Sequence, residues 1–230
     1  MLHTEEAVRA AVRVRDGVRV YYLPEGDRLT PGAKDWLRRE NIRVLPPDAA
    51  PQRYTTLFGG VLTEKPEHMT HLRGNVLVFK DHPRIAFRGM IDALEAEILL
   101  SQQAAQGHPA LQTALGEMLD FVRSLIRADV LEEPVREMRL CGLDAEALRE
   151  RSHHPERYYN QPHFMPAWTD GPALLALNRL RTLVRQAELA CYRAFSTPEG
   201  GVTREDLLLA MNRLSSLCWI LMIRVKAGQL

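Results

Sequence analysis

Strong net charge is missing from this sequence, which has 230 residues. Thirty Lys and Arg residues stand against 29 Asp and Glu residues, so the formal net charge is +1. A protein with so little excess charge has no long-range field to recruit nucleic acid or an anionic membrane surface. We therefore expect neither as a partner, and any site for an anion must be built locally.

Cysteine is also scarce, and long apolar runs are absent. The three cysteines, Cys141, Cys191 and Cys218, are widely spaced, which excludes a disulfide framework and a CxxC metal or redox site. We expect them to be reduced and buried. The N-terminal stretch lacks the apolar segment of a signal peptide, and no run of about eighteen apolar residues occurs. These absences predict a cytoplasmic protein.

The first fifty residues predict a small β-α-β appendage. A β-prone run covers 17–23, a helix follows with Thr30 as its N-cap and Pro31 at its first position, and a second β-prone run ends near Pro46. Three prolines in PPDAAPQ forbid a helix, so we place a boundary between Pro46 and Gln52. The predicted domains are 1–50 (the appendage), 51–82 (a linker and phosphate-binding segment) and 83–230.

From Pro83 onward the apolar residues recur at positions i, i+3 and i+4, which predicts α-helices. The predicted helices are 83–102, 109–131, 143–152, 171–195 and 204–226. Proline and glycine lie in the breaks between them. Four long helices and one short helix predict a mainly α protein whose second part is a five-helix bundle.

A charged stripe runs along the predicted helix 171–195. At 100° per residue Arg181, Arg185 and Glu188 share one side, which borders the apolar stripe that faces the core. A solvated face with an Arg–Glu pair accounts for this pattern. Two guanidinium groups one turn apart also suit a polyphosphate, because each presents a planar fork of donors.

Two further polar residues lie on largely apolar helix faces. If Asn212 in the last helix is buried, its amide must either bond a neighbouring helix or face a ligand. Asp92 shares a stripe with Arg88, and its partner is either that residue at i−4 or an arginine of another helix.

Histidines cluster in two regions. His68, His71 and His82 lie in a stretch with no helical pattern and no further ligand at metal spacing, so a zinc site is not favoured. His153, His154 and His163 lie in a long loop with aromatic residues. Such a loop is either ordered for a function, for example as a lid, or a surface connection with no role.

Seven segments in order resemble one family. They are RLTPGAKDWL, KPEHMTHL, FKDHPRIAFRGMIDALEAEI, IRADVLEEPV, HHPERYYNQPHFMP, LNRLRTLVRQAE and MNRLSSLCWILMIR. They resemble the ATP:cob(I)alamin adenosyltransferases, above all the ethanolamine-utilisation type and more distantly the PduO type. The resemblance implies a five-helix bundle, often a trimer with active sites between subunits, and transfer of the 5′-deoxyadenosyl group of ATP to cobalt.

The resemblance also implies roles for residues. Arg181 and Asp92 match an arginine and an aspartate that pair across helices and hold the site together. Arg185 matches the arginine that engages ATP. The other nucleotide-binding positions are Lys65, Thr70, Lys80, Glu188 and Asn212. Phe164 or a neighbour matches the aromatic at the lower face of the corrinoid, and Tyr158, Tyr159 and Trp168 are candidates for the same apolar wall.

Two departures from the family pattern matter. PduO-type relatives carry a glycine-rich TGDKGxT segment, whereas this chain reads EKPEHMT, with Glu67 where a lysine would stand. Some ethanolamine-type relatives carry a His and Cys-Cys-x-x-Cys cluster, but no cysteine precedes Cys141 here, so bound iron or zinc is not expected.

The implied partners are ATP with Mg²⁺, cob(II)alamin or cob(I)alamin, an electron donor and further copies of the chain, with microcompartment enzymes as further candidates. Two other hypotheses stay open. One is a non-catalytic protein that binds cobalamin or a nucleotide, and the other is an interaction module of a microcompartment.

Overall fold

The computed structural model describes residues 1–15, 17–46 and 53–230. These residues form two compact units, Met1–Pro66 and Glu67–Leu230. The chain therefore divides at Pro66, beyond the predicted boundary. Most of that predicted boundary, at 47–52, lies outside the described residues.

The first unit contains the predicted β-α-β arrangement. Its elements are β1 (Leu2–His3), α1 (Glu5–Ala11), β2 (Arg13–Arg15), β3 (Val18–Tyr22), β4 (Arg28–Leu29), α2 (Pro31–Arg39), β5 (Arg43–Leu45), β6 (Tyr54–Thr56) and β7 (Val61–Leu62). β3 and β5 pair in parallel, with α2 as the crossover between them. Thr30 caps α2, since its Oγ1 accepts a hydrogen bond of 3.3 Å from the amide of Ala33. A small core beneath α2 includes Trp36 and Leu37.

The segment expected to be a linker contains strands instead. β6 and β7 form one antiparallel hairpin in the first unit. In the second unit β8 (Met69–Arg73) and β9 (Val76–Phe79) form another, in which Thr70 lies opposite Val78. Sequence patterns missed these strands because they are two to five residues long, which is too short for a clear alternation.

The second unit continues as the predicted helical bundle. Its helices are α3 (Pro83–Ala104), α4 (Pro109–Val130), α5 (Ala145–His153), α6 (Pro155–Tyr159), α7 (Gly171–Phe195) and α8 (Glu205–Lys226), with a short antiparallel pair β10 (Arg139–Leu140) and β11 (Leu143–Asp144) before α5. The four long helices and the short α5 confirm the helix count. The five-residue α6 was not predicted.

One continuous apolar core holds the bundle together, and α8 lies within it. By length and composition α8 is also apolar enough to cross a membrane. A buried core helix has the same composition, and residues such as Leu214, Leu217 and Leu221 are fully buried here. α3 and α7 run antiparallel, because Phe87 meets Phe195 near one end and Glu97 meets Arg179 further along.

Candidate active site

A cavity of about 710 Å³ opens beside α7 and α8 and is closed on one side by the loop that joins α6 to α7. That volume is within the range of small-molecule sites. The lining residues are Ser152, His153, His163, Phe164, Met165, Pro166, Asn178, Arg181, Arg185, Asn212, Ser215, Ser216 and Trp219. Three of the predicted polar residues, Arg181, Arg185 and Asn212, and one predicted aromatic residue, Phe164, therefore line the same cavity.

The polar wall of the cavity carries Arg181 and Arg185, one turn apart on α7. Arg185 is exposed, whereas Arg181 is half-buried and its Nε is buried without a hydrogen-bond partner. Burial lowers the pKa of Arg181, and the neighbouring charge of Arg185 lowers it further. Neither arginine pairs with a carboxylate among the residues that the structure describes. Two unmatched guanidinium groups at one wall favour an anionic ligand.

Asn212 joins this wall from α8. Its Nδ2 donates a hydrogen bond of 2.8 Å to Oε1 of Glu188 on α7, and Arg213 donates to its Oδ1. Asn212 is exposed, so the premise of a buried amide was wrong. It bonds the neighbouring helix, which was the first alternative, and it also lines the cavity, so contact with a ligand stays a prediction.

A second wall, which adjoins the polar one, is aromatic. The ring of Phe164 stacks on Trp219 with centroids 5.2 Å apart and planes at 21°. His163 lies nearly parallel to Trp219 at 5.7 Å, and the guanidinium of Arg181 lies 5.3 Å from the centre of the same indole. Trp219 is thus the centre of the wall, although it was not among the site residues predicted from the sequence.

Three predicted members of the apolar wall lie elsewhere. Tyr159 is buried in the bundle core, and Trp168 is 86% exposed outside the cavity. Tyr158 lines a different cavity on α5, where its hydroxyl donates to Glu150. Within a single chain none of these three residues joins Phe164 at the cavity. The reason is that α6 turns both tyrosines away from the cavity before the loop reaches Phe164.

The expected pair of Asp92 with Arg181 does not form within one chain. Asp92 is exposed on α3, with no ion pair to any described residue. Glu97 faces α7 instead and pairs with Arg179 at 2.9 Å. Asp92 lies five residues earlier, so it points about 140° away around the helix. The other partner considered for it, Arg88, bonds Asp129 of α4.

Of the predicted phosphate-binding residues, Thr70 lies in β8 and Lys80 directly follows β9, just before the N-terminal end of α3. Arg88 fixes the β8–β9 hairpin by donating to the carbonyls of His71 and Leu72. The first turns of α3 pack near Phe195, which is fourteen residues and about 20 Å along α7 from Arg181. Neither Thr70 nor Lys80 lines the cavity. Lys65 belongs to the first unit.

The histidines of residues 68–82 have structural contacts. His68 stacks on Phe79, and Nδ1 of His82 accepts a hydrogen bond of 3.2 Å from the amide of Arg84 at the start of α3. Burial and the charges of Arg84 and Arg88 lower the pKa of His82. Within the described ranges no three His, Cys, Asp or Glu side chains form a group suited to a metal ion.

The three cysteines are free thiols. Cys191 and Cys218 are buried and Cys141 is half-buried. Burial raises the pKa of Cys191 and Cys218 to about 12 and that of Cys141 to about 11. These thiols stay protonated near neutral pH, so they are poor nucleophiles.

Comparison with known proteins identifies the family. The model of the cobalamin adenosyltransferase family matches residues 61–225. The chain belongs to this family. It is 31% identical over 245 residues to corrinoid adenosyltransferase EutT of Salmonella typhimurium, a match covering 96% of this chain and 90% of that protein. The corresponding enzyme of Escherichia coli K12 is 31% identical over 244 residues, with the same coverage.

A solved structure supports the fold of this family member. An arginine-to-lysine variant of a PduO-type ATP:corrinoid adenosyltransferase from Lactobacillus reuteri, complexed with ATP, matches with a TM-score of 0.52 and 19% identity. The match covers 71% of this chain and 92% of that chain. At this identity the similarity concerns the helical bundle alone.

Proposed function

We propose that this adenosyltransferase transfers the 5′-deoxyadenosyl group of ATP to the cobalt of a reduced corrinoid and releases triphosphate, and that it serves ethanolamine utilisation. The observation that carries the proposal is the cavity with two contrasting walls. One wall presents Arg181, Arg185 and Asn212, and the other presents Trp219 and Phe164. A triphosphate suits the first wall and a flat apolar macrocycle suits the second.

In the proposed reaction the side chains are not themselves reactants. The electron pair of cob(I)alamin attacks C5′ of ATP and becomes the new Co–C bond, while the C5′–O bond breaks and triphosphate leaves with the electron pair of that broken bond. Because the corrinoid is itself the nucleophile, the protein needs no activated serine or cysteine. Its tasks are to align C5′ with cobalt, to stabilise the leaving triphosphate and to exclude water.

Arg185 is the residue placed to stabilise the leaving group. It is exposed in the cavity and has no carboxylate partner in the described part of the chain. A pair of opposite charges about 4 Å apart interacts by about 4 kcal/mol at an effective dielectric constant near 20, before desolvation is counted. Arg181 has a different role, because it is half-buried over Trp219 and links the polar wall to the aromatic wall.

The separation of Thr70 and Lys80 from the cavity supports an active site between subunits. Within one chain the start of α3, to which Arg88 ties the β8–β9 hairpin, packs near Phe195, and Phe195 is about 20 Å along α7 from Arg181, which is too far for one triphosphate to bridge. We propose a trimer in which the β8–β9 hairpin of one subunit faces the cavity of the next. Asp92 meets Arg181 across the same interface, and Lys65 stays a predicted contact of the nucleotide.

Mg²⁺ is expected to arrive bound to the triphosphate, where it neutralises charge as the leaving group departs. The glycine-rich phosphate loop is replaced by EKPEHMT, so the backbone of β8 and side chains such as Thr70 take over its contacts.

The formation of adenosylcobalamin tests this proposal. The purified full chain is given ATP, Mg²⁺, cob(II)alamin and a chemical reductant, and the change of the corrinoid absorbance spectrum is followed. We expect product only when both ATP and the reductant are present, and the product should revert on illumination because light breaks the Co–C bond.

Two rival functions give different results. A non-catalytic binding protein would be stabilised against heat by ATP and cobalamin but would form no product. A microcompartment interaction module would show neither effect and would co-purify with shell or lyase proteins. Restored growth on ethanolamine of a strain that lacks its own adenosyltransferase would tie the activity to that pathway.

A further inference from the structure

His163 lies in the cavity beside the proposed corrinoid wall, yet no role has been assigned to it. It precedes Phe164 in the chain, and both side chains line the cavity. Neutral imidazole is a good ligand for cobalt and similar metal ions. A free imidazole at this position would therefore compete for the axial position of the corrinoid.

The hydrogen bonds of His163 determine which ring nitrogen carries the proton. Nε1 of Trp219 lies 3.2 Å from Nδ1 of His163. The indole N–H is only a donor, so Nδ1 must accept and the imidazole proton must be on Nε2. Nε2 lies 3.4 Å from the backbone carbonyl of His153, which is the acceptor that this tautomer requires. In this arrangement the single lone pair of the neutral imidazole is already used.

Trp219 is itself held in place by its neighbours. The guanidinium of Arg181 lies 5.3 Å from the indole centre, and Phe164 stacks on the ring at 5.2 Å. Nζ of Lys226 lies 5.6 Å from the centre of the Phe164 ring and also pairs with Asp170. The direction of the indole N–H is therefore set by packing, and the N–H remains directed at His163.

We propose that Trp219 restrains His163 so that its imidazole does not ligate the cobalt of the corrinoid substrate. This inference rests on the proposed function. An axial nitrogen donor makes Co(II) harder to reduce to Co(I), because it donates electron density to the metal. Because of this restraint, the aromatic wall offers cobalt no nitrogen ligand although it contains a histidine. Trp219 is thus a positioning residue that acts through His163.

The first test needs no corrinoid. Histidine side chains labelled with ¹⁵N are observed by NMR in the full-length protein, and the His163 signals are assigned by their loss in His163→Gln. We expect the Nε2–H tautomer in the wild-type protein and a mixture of tautomers in Trp219→Phe. A wild-type His163 that carries its proton on Nδ1, or that is unaffected by Trp219→Phe, would overturn the proposal.

The second test uses Co(II)inamide, a corrinoid that lacks a nucleotide base, together with ATP. The corrinoid then supplies no axial nitrogen of its own, and ligation by His163 appears in the EPR spectrum as a triplet splitting from one ¹⁴N nucleus. We expect no splitting in the wild-type protein, a triplet in Trp219→Phe, and its loss in Trp219→Phe/His163→Phe. Turnover should fall in Trp219→Phe and recover in the double variant, which simple loss of packing would not produce.

Phe58→Leu is the control, because Phe58 is an exposed aromatic residue of the first unit. It should behave as the wild type in both tests. A bound Co(II)inamide without the triplet in Trp219→Phe, or with it in the wild type, would refute the restraint. If the wild-type protein leaves the Co(II)inamide spectrum unchanged, it does not bind this base-free corrinoid; the NMR result then decides whether Trp219 restrains His163, and the formation of adenosylcobalamin decides the proposed function separately.

Discussion

Arg88 on α3 donates a hydrogen bond of 2.6 Å from Nε to Oδ2 of Asp129 on α4, and Asp129 is fully buried. Arg84 donates to the same carboxylate from its own Nε at 3.0 Å and to the Asp129 carbonyl at 2.8 Å. The other end of Arg88 holds the carbonyl of Leu72. One buried acid therefore connects α3, α4 and the β8–β9 hairpin.

Replacing this acid should destabilise the bundle. Asp129→Ala leaves two largely buried guanidinium groups without their shared carboxylate, and such a loss costs about 3 to 5 kcal/mol. The free energy of unfolding in urea measures the effect. Asp120→Ala, an exposed acid on the same helix, should change it by less than about 0.5 kcal/mol. Equal effects of the two variants would mean that the buried network contributes no more than surface charge.

Arg185→Ala should abolish most turnover without unfolding the protein. Because Arg185 is exposed and contributes nothing to the core, the helical circular-dichroism signal and the melting temperature should stay near their wild-type values. Removal of one group that stabilises charge in the transition state lowers kcat by about two to three decades. Arg193→Ala, an exposed arginine on the last turn of α7, is the matched control. Wild-type turnover in Arg185→Ala would contradict the role given to this residue.

Asp92→Asn should weaken the association of subunits that builds the active site. Its effect on ATP affinity should be smaller. Asp92 has no ion-pair partner within the described part of its own chain, so its proposed partner is Arg181 of a neighbouring subunit. Analytical ultracentrifugation should show dissociation at a higher protein concentration, together with a higher KM for the corrinoid. Glu95→Gln, also on α3, is the comparison, because it breaks a surface pair with Arg123 of α4. Unchanged assembly and corrinoid kinetics in Asp92→Asn would count against the interface.

Asp206 should make stability fall in acid. The Arg204 guanidinium, together with the amide of Val135, lowers the pKa of Asp206 to about 2. A carboxyl whose pKa is depressed in the folded state stabilises it above the unfolded pKa, near 3.9, and loses this effect as pH falls towards 2. Since about a third of the side chain is exposed, solvent screening reduces the contribution to roughly 1 kcal/mol.

The measurement is urea unfolding of the wild type and Asp206→Asn at pH 6 and at pH 3. The variant should be less stable at pH 6, and the difference should shrink at pH 3. Glu205→Gln, at an exposed neighbouring position, is the control. Its free energy of unfolding should change between pH 6 and pH 3 by as much as that of the wild type. A constant gap between the wild type and Asp206→Asn at both pH values would refute the pH dependence.

The long helices could be predicted because their signal is local. Leu177, Leu180, Val184 and Ala187 recur at helical spacing and are all buried in the bundle. The start of α2 could also be predicted locally, because Thr30 and Pro31 are residues typical of the N-cap and the first position of a helix. The β8–β9 hairpin carries no comparable pattern, because strands of four or five residues depend on their pairing partner for stability.

Part of the candidate site could be predicted for the same reason. Arg181 and Arg185 were found as polar residues on an otherwise apolar helix, and the fold brings them together with Asn212. The aromatic wall was only partly predicted, since Phe164 lies there while Tyr158, Tyr159 and Trp168 do not. The path of a loop depends on contacts distant in the chain, such as that between Phe164 and Trp219, which no local spacing reveals.

The sequence by itself therefore determined the helices, the family and the polar stripe of α7, because each depends on the order and period of residues along one segment. Only the tertiary structure decided that Trp219 donates to His163, that Asp129 holds Arg84 and Arg88, and that Asp92 lies away from Arg181 in the same chain. These relationships join residues 41 to 89 positions apart. Their geometry is set by how the helices pack and turn, and it is not encoded in the spacing of any one segment.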